Sequence, residues 1–390
     1  MAEPVDAPGL GPGPFGGGGS SPLVRTLVPH LVAAPDKFRG TATAAAVAGA
    51  AARAARRCGW RVEEMPLADG GEGSMTAVRH AIGGELRERR VTGPLGYPVN
   101  ARWLFLADTS GALLPRPLVA GHDPTAVVEA AEAAGRHLVP APSGDEPLDA
   151  TTAGVGQLVA AALAAGARQV LVFVGGTATT DGGRGAISAL EAAEAVPRRD
   201  LRLVVATDVQ TRFRTAAAVF SPQKGATPLQ SAKLEQRLTR LASHYRRAYG
   251  AEVDRLSGAG AGGGLAGGLA AIGGTIVAGF PLVAGLVGLE RRLAAADLAM
   301  TGEGRLDATS FAGKVVGGVC GALGGTVPVL CVAGEVTDGA THALEGRAAP
   351  VEVVSLVERV GRRRALDATT AAVEDVVVAA LLRHGVGHRM

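Results

Sequence analysis

The chain reads as an α/β protein in which a parallel-sheet domain is joined to a second, smaller α/β domain. Three observations predict this. Apolar runs alternate with helix-length segments near both ends of the chain, which is the rhythm of βαβ units and therefore of parallel sheet. That rhythm breaks at about 85–120. There Glu85–Val91, Tyr97–Ala107 and Ala112–Leu118 alternate around turns at Gly93-Pro94 and Gly96, as a β-meander does. Finally, several apolar runs end in loops mixing glycine, carboxylate and small hydroxyl residues, at the strand ends where open α/β sheets bind ligands.

Composition narrows the function. The 390 residues suffice for a large core in two or three domains. With 47% hydrophobic and 19% charged residues the chain belongs among globular rather than disordered proteins. The net charge is only +3, and no lysine/arginine run or aromatic platform points to nucleic acid. Cys58, Cys320 and Cys331 show no metal spacing and read as reduced core residues of a cytoplasmic protein. The eight histidines form no HExxH-like pair, so a zinc enzyme is not expected. Of 39 basic residues only four are lysines: Lys37, Lys224, Lys233 and Lys314. Three of them sit in glycine-bearing loops, where a compact ammonium differs usefully from a guanidinium.

Taken in order, residues 1–25 are rich in Gly and Pro and lack a leader-like apolar core, and are expected to be a disordered tail. Strand Leu27–Ala33 leads through Ala34-Pro35-Asp36-Lys37-Phe38-Arg39-Gly40-Thr41 into an alanine-rich helix, capped by Thr41 or Thr43. Strand Arg61–Leu67 runs into Ala68-Asp69-Gly70-Gly71-Glu72-Gly73-Ser74 and another helix. After the meander, Asp123–Ala134 and a helix at Thr152–Ala165 resume the helix-strand pattern. Strand Gln169–Val174 ends in a glycine- and threonine-rich loop reaching Asp181-Gly182-Gly183, and strand Leu201–Ala206 ends in Thr207-Asp208-Val209. The loop Phe220–Thr227 carries Lys224 and precedes a polar helix, Pro228–Tyr249. Residues 258–289 contain no charge, but 12 of the 32 are glycine and Pro281 interrupts them. Closely packed helices are therefore expected rather than a membrane span. Strand Leu298–Thr301 enters a charged glycine turn, Gly302-Glu303-Gly304-Arg305-Leu306-Asp307, before another helix. Strands at Val327–Val332 and Val351–Ser355 and a helix at Ala365–Arg383 complete the fold.

The loops carry the chemistry. Glycine lets backbone N–H groups approach a polyanion, and a following helix N-terminus adds positive potential. Carboxylates in the same loops cannot bind phosphate directly, but they can hold Mg²⁺ against it. Lys37, Arg39, Lys224, Arg305 and Lys314 can neutralise charge on a transferred phosphoryl group. An aspartate beside the attacking hydroxyl can orient it or take its proton. This is the inventory of a magnesium-dependent phosphotransferase, and without a GxxxxGK[ST] sequence it is not a P-loop enzyme. Plainer readings stand beside it: Asp69, Glu72 and Asp181 also suit structural turns, and Glu303 and Arg305 could pair with each other. Gly258-Ala259-Gly260-Ala261-Gly262-Gly263 satisfies the dinucleotide pattern G-x-G-x-x-G, but Ala251–Ser257 before it makes a poor strand. An NAD-dependent oxidoreductase is thus the weaker alternative.

The same residues resemble the bacterial type I glycerate kinase family over nearly all of 28–383. The matching pieces are Ala34-Pro35-Asp36 with Phe38 and Gly40, Pro66 through Gly73, Val91 through Gly96, and Gly175-Gly176 with Ala178-Thr179 and Asp181-Gly182-Gly183. Phe220 through Thr227, Gly258 through Leu265, and Thr301 through Asp307 with Gly313-Lys314 also match. The resemblance implies ATP-dependent phosphorylation of D-glycerate, commonly at the 2-hydroxyl. It also implies a Rossmann-like domain (26–67, 121–205 and 290–390), a smaller inserted domain (68–120 and 206–289), and a site in the cleft between them. The expected catalytic residues are Asp208, Asp181 and Lys224. Substrate and phosphate would be held by Asp36, Lys37, Arg39, Asp69, Gly70, Gly71, Glu72, Gly176, Thr177, Thr179 and Arg305. Metal would be held by Glu303 and Asp307, with Mg²⁺ and ATP as partners. Two loops depart from the family pattern. Lys37-Phe38-Arg39-Gly40 replaces the usual Ser-Phe-Lys-Gly, and Gln210-Thr211-Arg212-Phe213-Arg214 replaces an Asn-Pro-Leu segment. A relative acting on another small hydroxy acid, or binding without catalysis, is the alternative these departures suggest.

Overall fold

The structure is a computed structural model describing residues 28–107, 123–140, 144–196, 201–311, 313–325, 327–342 and 350–387. The expected N-terminal tail and the third meander strand, Ala112–Leu118, lie outside the described residues.

Eleven described strands form two sheets. They are β1 (His30–Ala33), β2 (Arg61–Glu64), β3 (Glu85–Thr92), β4 (Pro98–Leu106), β5 (Thr125–Glu129) and β6 (Gln169–Phe173). β7 (Arg202–Thr207), β8 (Thr275–Ala278), β9 (Leu298–Leu306), β10 (Val329–Val336) and β11 (Val351–Ser355) follow. The first sheet is wholly parallel, in the order β11-β10-β9-β1-β2. The second, β3-β4-β5-β6-β7-β8, pairs β3, β4 and β5 antiparallel and β5 through β8 parallel. Strands β5 and β6 are buried at every position, as strands covered on both faces by helices must be.

Each sheet has its own outer core. Helix Ala44–Arg57 lays Val47, Ala51 and Ala55 against β1 and helix Thr369–Gly387, and its many alanines keep that layer thin. Thr43 caps it by accepting the Ala46 N–H at 3.1 Å. Helices Ala153–Ala164 and Leu265–Ala271 cover the outer face of the second sheet. The inner faces share one core. Val32, Ala299 and Cys331 of the first sheet and Val127, Phe173 and Val204 of the second pack with helices Ser74–Ile82, Gly279–Val287 and Val315–Ala322. The two sheets are thus held together by a common helical layer.

Three expectations change. Residues 121–205 were grouped with the first sheet, but β5, β6 and β7 pair with β4 and β8, so the second sheet holds more strands than the first. An apolar parallel strand reads the same whichever sheet it joins, so composition does not reveal its partner. The glycine-rich stretch after 258 is not all helix. It forms turns through Gly264, then helix Leu265–Ala271, then edge strand β8. Lastly, β9 does not end at Thr301 but continues to Leu306, with Glu303, Arg305 and Leu306 in register with Ala333, Glu335 and Val336 of β10. Its glycines serve close approach rather than a turn. A Cβ on Gly302 would stand 1.9 Å from the Val332 carbonyl oxygen. No described helix is long and apolar enough to cross a membrane.

Candidate active site

Carboxylates cluster at the carboxyl ends of parallel strands from both sheets. Asp36 follows β1, Asp69 follows β2, and Glu303 lies in the outer half of β9; Glu129 ends β5, and Asp208 follows β7. Asp69 links the two sets. Its charge acts on Asp36, Glu303 and Asp208. Burial pushes the Asp36 carboxyl up to about 7, with Asp69 adding to the rise and the Lys37 N–H opposing it. That N–H donates to Asp36 Oδ1 at 2.6 Å. Asp208 is reachable by solvent yet closely surrounded by protein, and this partial desolvation, then Asp69, raises its pKa. Burial also raises Glu303, although Ser310 and Lys314 pull the other way. Its Oε1 is buried with no hydrogen-bond partner, a costly state that an added cation would relieve.

Two cavities meet at Arg39. One, about 350 Å³, is lined by Asp36, Lys37, Arg39, Asp69, Glu303, Arg305 and Lys314, with Val357 and Leu366 on an apolar wall. The other, about 510 Å³, is lined by Arg39, Glu72, Gly176, Thr177, Asp208 and Lys224, together with Arg136 and His137. Lys37 and Arg39 both face the first cavity while Phe38 between them is buried in the outer core. This is the alternation expected of extended backbone before the chain turns back, with Phe38 and Ala42 exchanging backbone hydrogen bonds.

Several expected site residues do other work. Asp181 lines neither cavity. Its carboxylate accepts from Thr152 N and Oγ1, both at 2.8 Å, from Gly183 N at 3.0 Å and from Gly185 N at 3.1 Å. It is a buried knot between two loops, and its charge supports the nearby Lys224 ammonium. Asp181→Ala leaves those donors and the lysine uncompensated. It is expected to lower unfolding stability by about 3 kcal/mol, to be read from urea denaturation. Lys224 donates to the Thr179 carbonyl at 2.5 Å, and burial pulls its pKa down to about 7. The Thr179 hydroxyl turns toward Gly262 O at 3.5 Å instead of a cavity. Asp307 is tied up in its own turn, accepting from Thr309 N and Oγ1 at 2.8 and 2.6 Å. Gly70 and Gly71 line neither cavity. Gly70 presses on Gly279, where a Cβ would stand 2.5 Å from the Gly279 Cα, and a Cβ on Gly175 would stand 2.6 Å from the Gly71 Cα.

Other residues went unnoticed in the sequence. Arg136 and His137 reach the second cavity because the Arg136 N–H donates to the Gly176 carbonyl and the Ala134 carbonyl accepts from the Ala178 N–H, pairing Gly135 with Thr177. Glu129, buried, accepts from Gly73 N at 3.0 Å and Met75 N at 2.6 Å, and so fixes the start of helix Ser74–Ile82. The rule that singled out Asp208, a lone carboxylate closing an apolar strand, applies equally to Glu129. It is hard to pick out because no glycine turn follows it: β5 runs directly into helix Ala130–Ala134.

Among the described residues no three carboxylate, histidine or cysteine side chains stand close enough to make a metal site by themselves.

Fold and cleft together define the class, an α/β phosphotransferase whose polar loops stand at facing strand ends and which has no P-loop. The profile of the glycerate kinase family matches residues 31–198 and 191–381. The chain is 35% identical over 340 residues to the glycerate kinase of Bacillus subtilis (strain 168), covering 79% of this chain and 85% of that one. It is 34% identical over 347 residues to the glycerate 2-kinase of Escherichia coli (strain K12), covering 80% and 87%. A crystal structure of a candidate glycerate kinase 2 from Salmonella typhimurium LT2 matches with a TM-score of 0.73 at 31% identity, covering 93% of this chain and 100% of that one. The chain belongs to the glycerate kinase family.

Proposed function

We propose that this protein transfers the γ-phosphoryl group of MgATP to a hydroxyl of D-glycerate, as a cytoplasmic enzyme, with the 2-hydroxyl as acceptor. The observation that carries the reading is the position of Asp208, which lines the larger cavity while feeling the charge of Asp69, a carboxylate lining the smaller one. The triphosphate suits the smaller cavity, where Arg39, Arg305 and Lys314 supply positive charge and Val357 and Leu366 can face the base. Glycerate suits the larger cavity, where Arg136 can take its carboxylate and Thr177 a hydroxyl. Arg39, common to both, marks the place where the phosphoryl group passes.

Within this reading Asp208 orients the attacking hydroxyl and accepts its proton. Arg39 and Lys224 stabilise charge on the equatorial oxygens. Glu303, with its unpartnered oxygen, would offer a ligand to the divalent ion that arrives with ATP, whereas Asp307 is already engaged. That ion supplies neutralisation of the β- and γ-phosphate charge. The decisive experiment is ADP release from MgATP with D-glycerate, followed by NMR assignment of the phosphorylated carbon. Folded protein that releases no ADP with glycerate, but does so with another hydroxy acid, would move the reading to the diverged relative.

The pH profile gives a second check. Burial and Asp69 raise the Asp208 pKa, so the proton-accepting form is lost, as pH falls, sooner than for an ordinary aspartate. Asp69→Asn removes the repelling charge and lowers that pKa. The acid limb of kcat/KM is therefore expected to move to lower pH in the variant, and an unmoved limb would assign it to another group.

A further inference from the structure

The peptide unit joining Glu72 to Gly73 is held from both sides. Its N–H donates to Glu129 Oε1 at 3.0 Å, and its carbonyl accepts from Lys37 Nζ at 2.5 Å. Glu129 belongs to β5 of the second sheet and is buried; Lys37 belongs to the loop after β1 of the first. A carboxylate on the N–H side and an ammonium on the carbonyl side polarise one peptide group in the same sense, so each bond strengthens the other. The chain continues at both ends: Glu129 also accepts from Met75 N, and the Lys37 N–H holds Asp36. Between these anchors runs the loop that carries Asp69. Its glycines rest against Gly279 and Gly175, so it has close backbone neighbours and few side-chain contacts of its own.

We propose that Lys37 and Glu129 are a pair of positioning residues, an ion pair relayed through the Glu72–Gly73 peptide that holds the Asp69 loop between the two sheets. Lys37 thereby leaves phosphate neutralisation to Arg39, which reaches both cavities. This accounts for the altered Lys37-Phe38-Arg39 sequence. The lysine, the first of the two cations, spends its charge on a carbonyl 35 residues away, and Arg39 keeps the place at the cleft. The kinetic consequence rests on the kinase reading; the structural one does not.

The test combines hydrogen exchange on the ligand-free full chain with steady-state kinetics, using Lys37→Met, Glu129→Gln, the double variant and Lys37→Arg. Each single variant is expected to speed exchange of the 70–78 segment about tenfold while leaving the rest of the protein unchanged. The double variant should exchange no faster than the faster single, because either change breaks the relay. Lys37→Arg should restore part of the protection. With glycerate, kcat of Lys37→Met should fall about tenfold while KM for ATP changes less than about twofold. Wild-type protection of 70–78 in Lys37→Met, or effects that multiply in the double variant, would overturn the pairing. So would a large rise in KM for ATP at unchanged kcat, which would make Lys37 a phosphate ligand. The exchange readout needs no substrate, so it judges the pair even if glycerate proves not to be the acceptor. Lys37 is only partly buried, so its replacement leaves the fold standing.

Discussion

Replacing Asp208 by asparagine is expected to lower kcat for glycerate phosphorylation about a thousandfold, with little change in the KM for ATP. Asparagine keeps the size of the side chain and one acceptor oxygen, so binding geometry survives. What disappears is the basic form that takes the hydroxyl proton, and a positioned base contributes about 10²–10⁴ in rate. A factor of a thousand corresponds to about 4 kcal/mol of barrier. The charge of Asp69, which raises the Asp208 pKa, makes the substitution informative in a second way. An amide does not repel Asp69, so the variant should be at least as stable as the parent, and stability and turnover should move in opposite directions. Parallel thermal melts and single-turnover measurements check this. A variant that keeps a tenth of wild-type kcat would move the role of base elsewhere in the cleft.

Gly302→Ala should be strongly destabilising for the addition of a single methyl group. The added carbon would sit 1.9 Å from the Val332 carbonyl oxygen, which is backbone and cannot swing aside. Gly302 is paired with Val332 in the β9–β10 ladder, and its own carbonyl accepts the Asp36 N–H at 2.8 Å. Separating the strands breaks ladder bonds and shifts Asp36 together with Glu303. A loss of about 3 kcal/mol is expected, with much of the activity, measured by urea denaturation and turnover. Gly321→Ala, in helix Val315–Ala322 with nothing near its Cβ position, is the control of opposite sign. There alanine should add about 0.5–1 kcal/mol by raising helix propensity. Equal effects at the two sites would mean that β9 and β10 are not paired this closely.

Legibility from sequence followed the range of the interaction. Residues 34–41, 68–74, 175–183 and 301–307 stand out in the sequence because each is a local pattern, an apolar strand followed by glycine and charge. The placement of Asp208 after a strand held for the same reason, as did the preference for close packing over a membrane span in the glycine-rich stretch. Asp181 shows the limit of such patterns. In sequence it is a loop carboxylate like Asp208, and only the approach of Thr152, 29 residues away, turns it into a structural knot. Arg136 and Glu129 show the converse. Neither lies in a glycine-rich motif, and both reach the cleft or its supports through contacts with the 176–178 and 73–75 backbone.

By itself the sequence determined the α/β class, most of the strands and the family, because strand and helix periodicity and motif composition are written in neighbouring residues. Only the tertiary structure decided which sheet each parallel strand joins, that Gly302-Glu303-Gly304-Arg305 prolongs β9 rather than turning, and which carboxylates face one another. Strand pairing and the charge of one carboxylate on another depend on distances across the fold, and no local spacing encodes those.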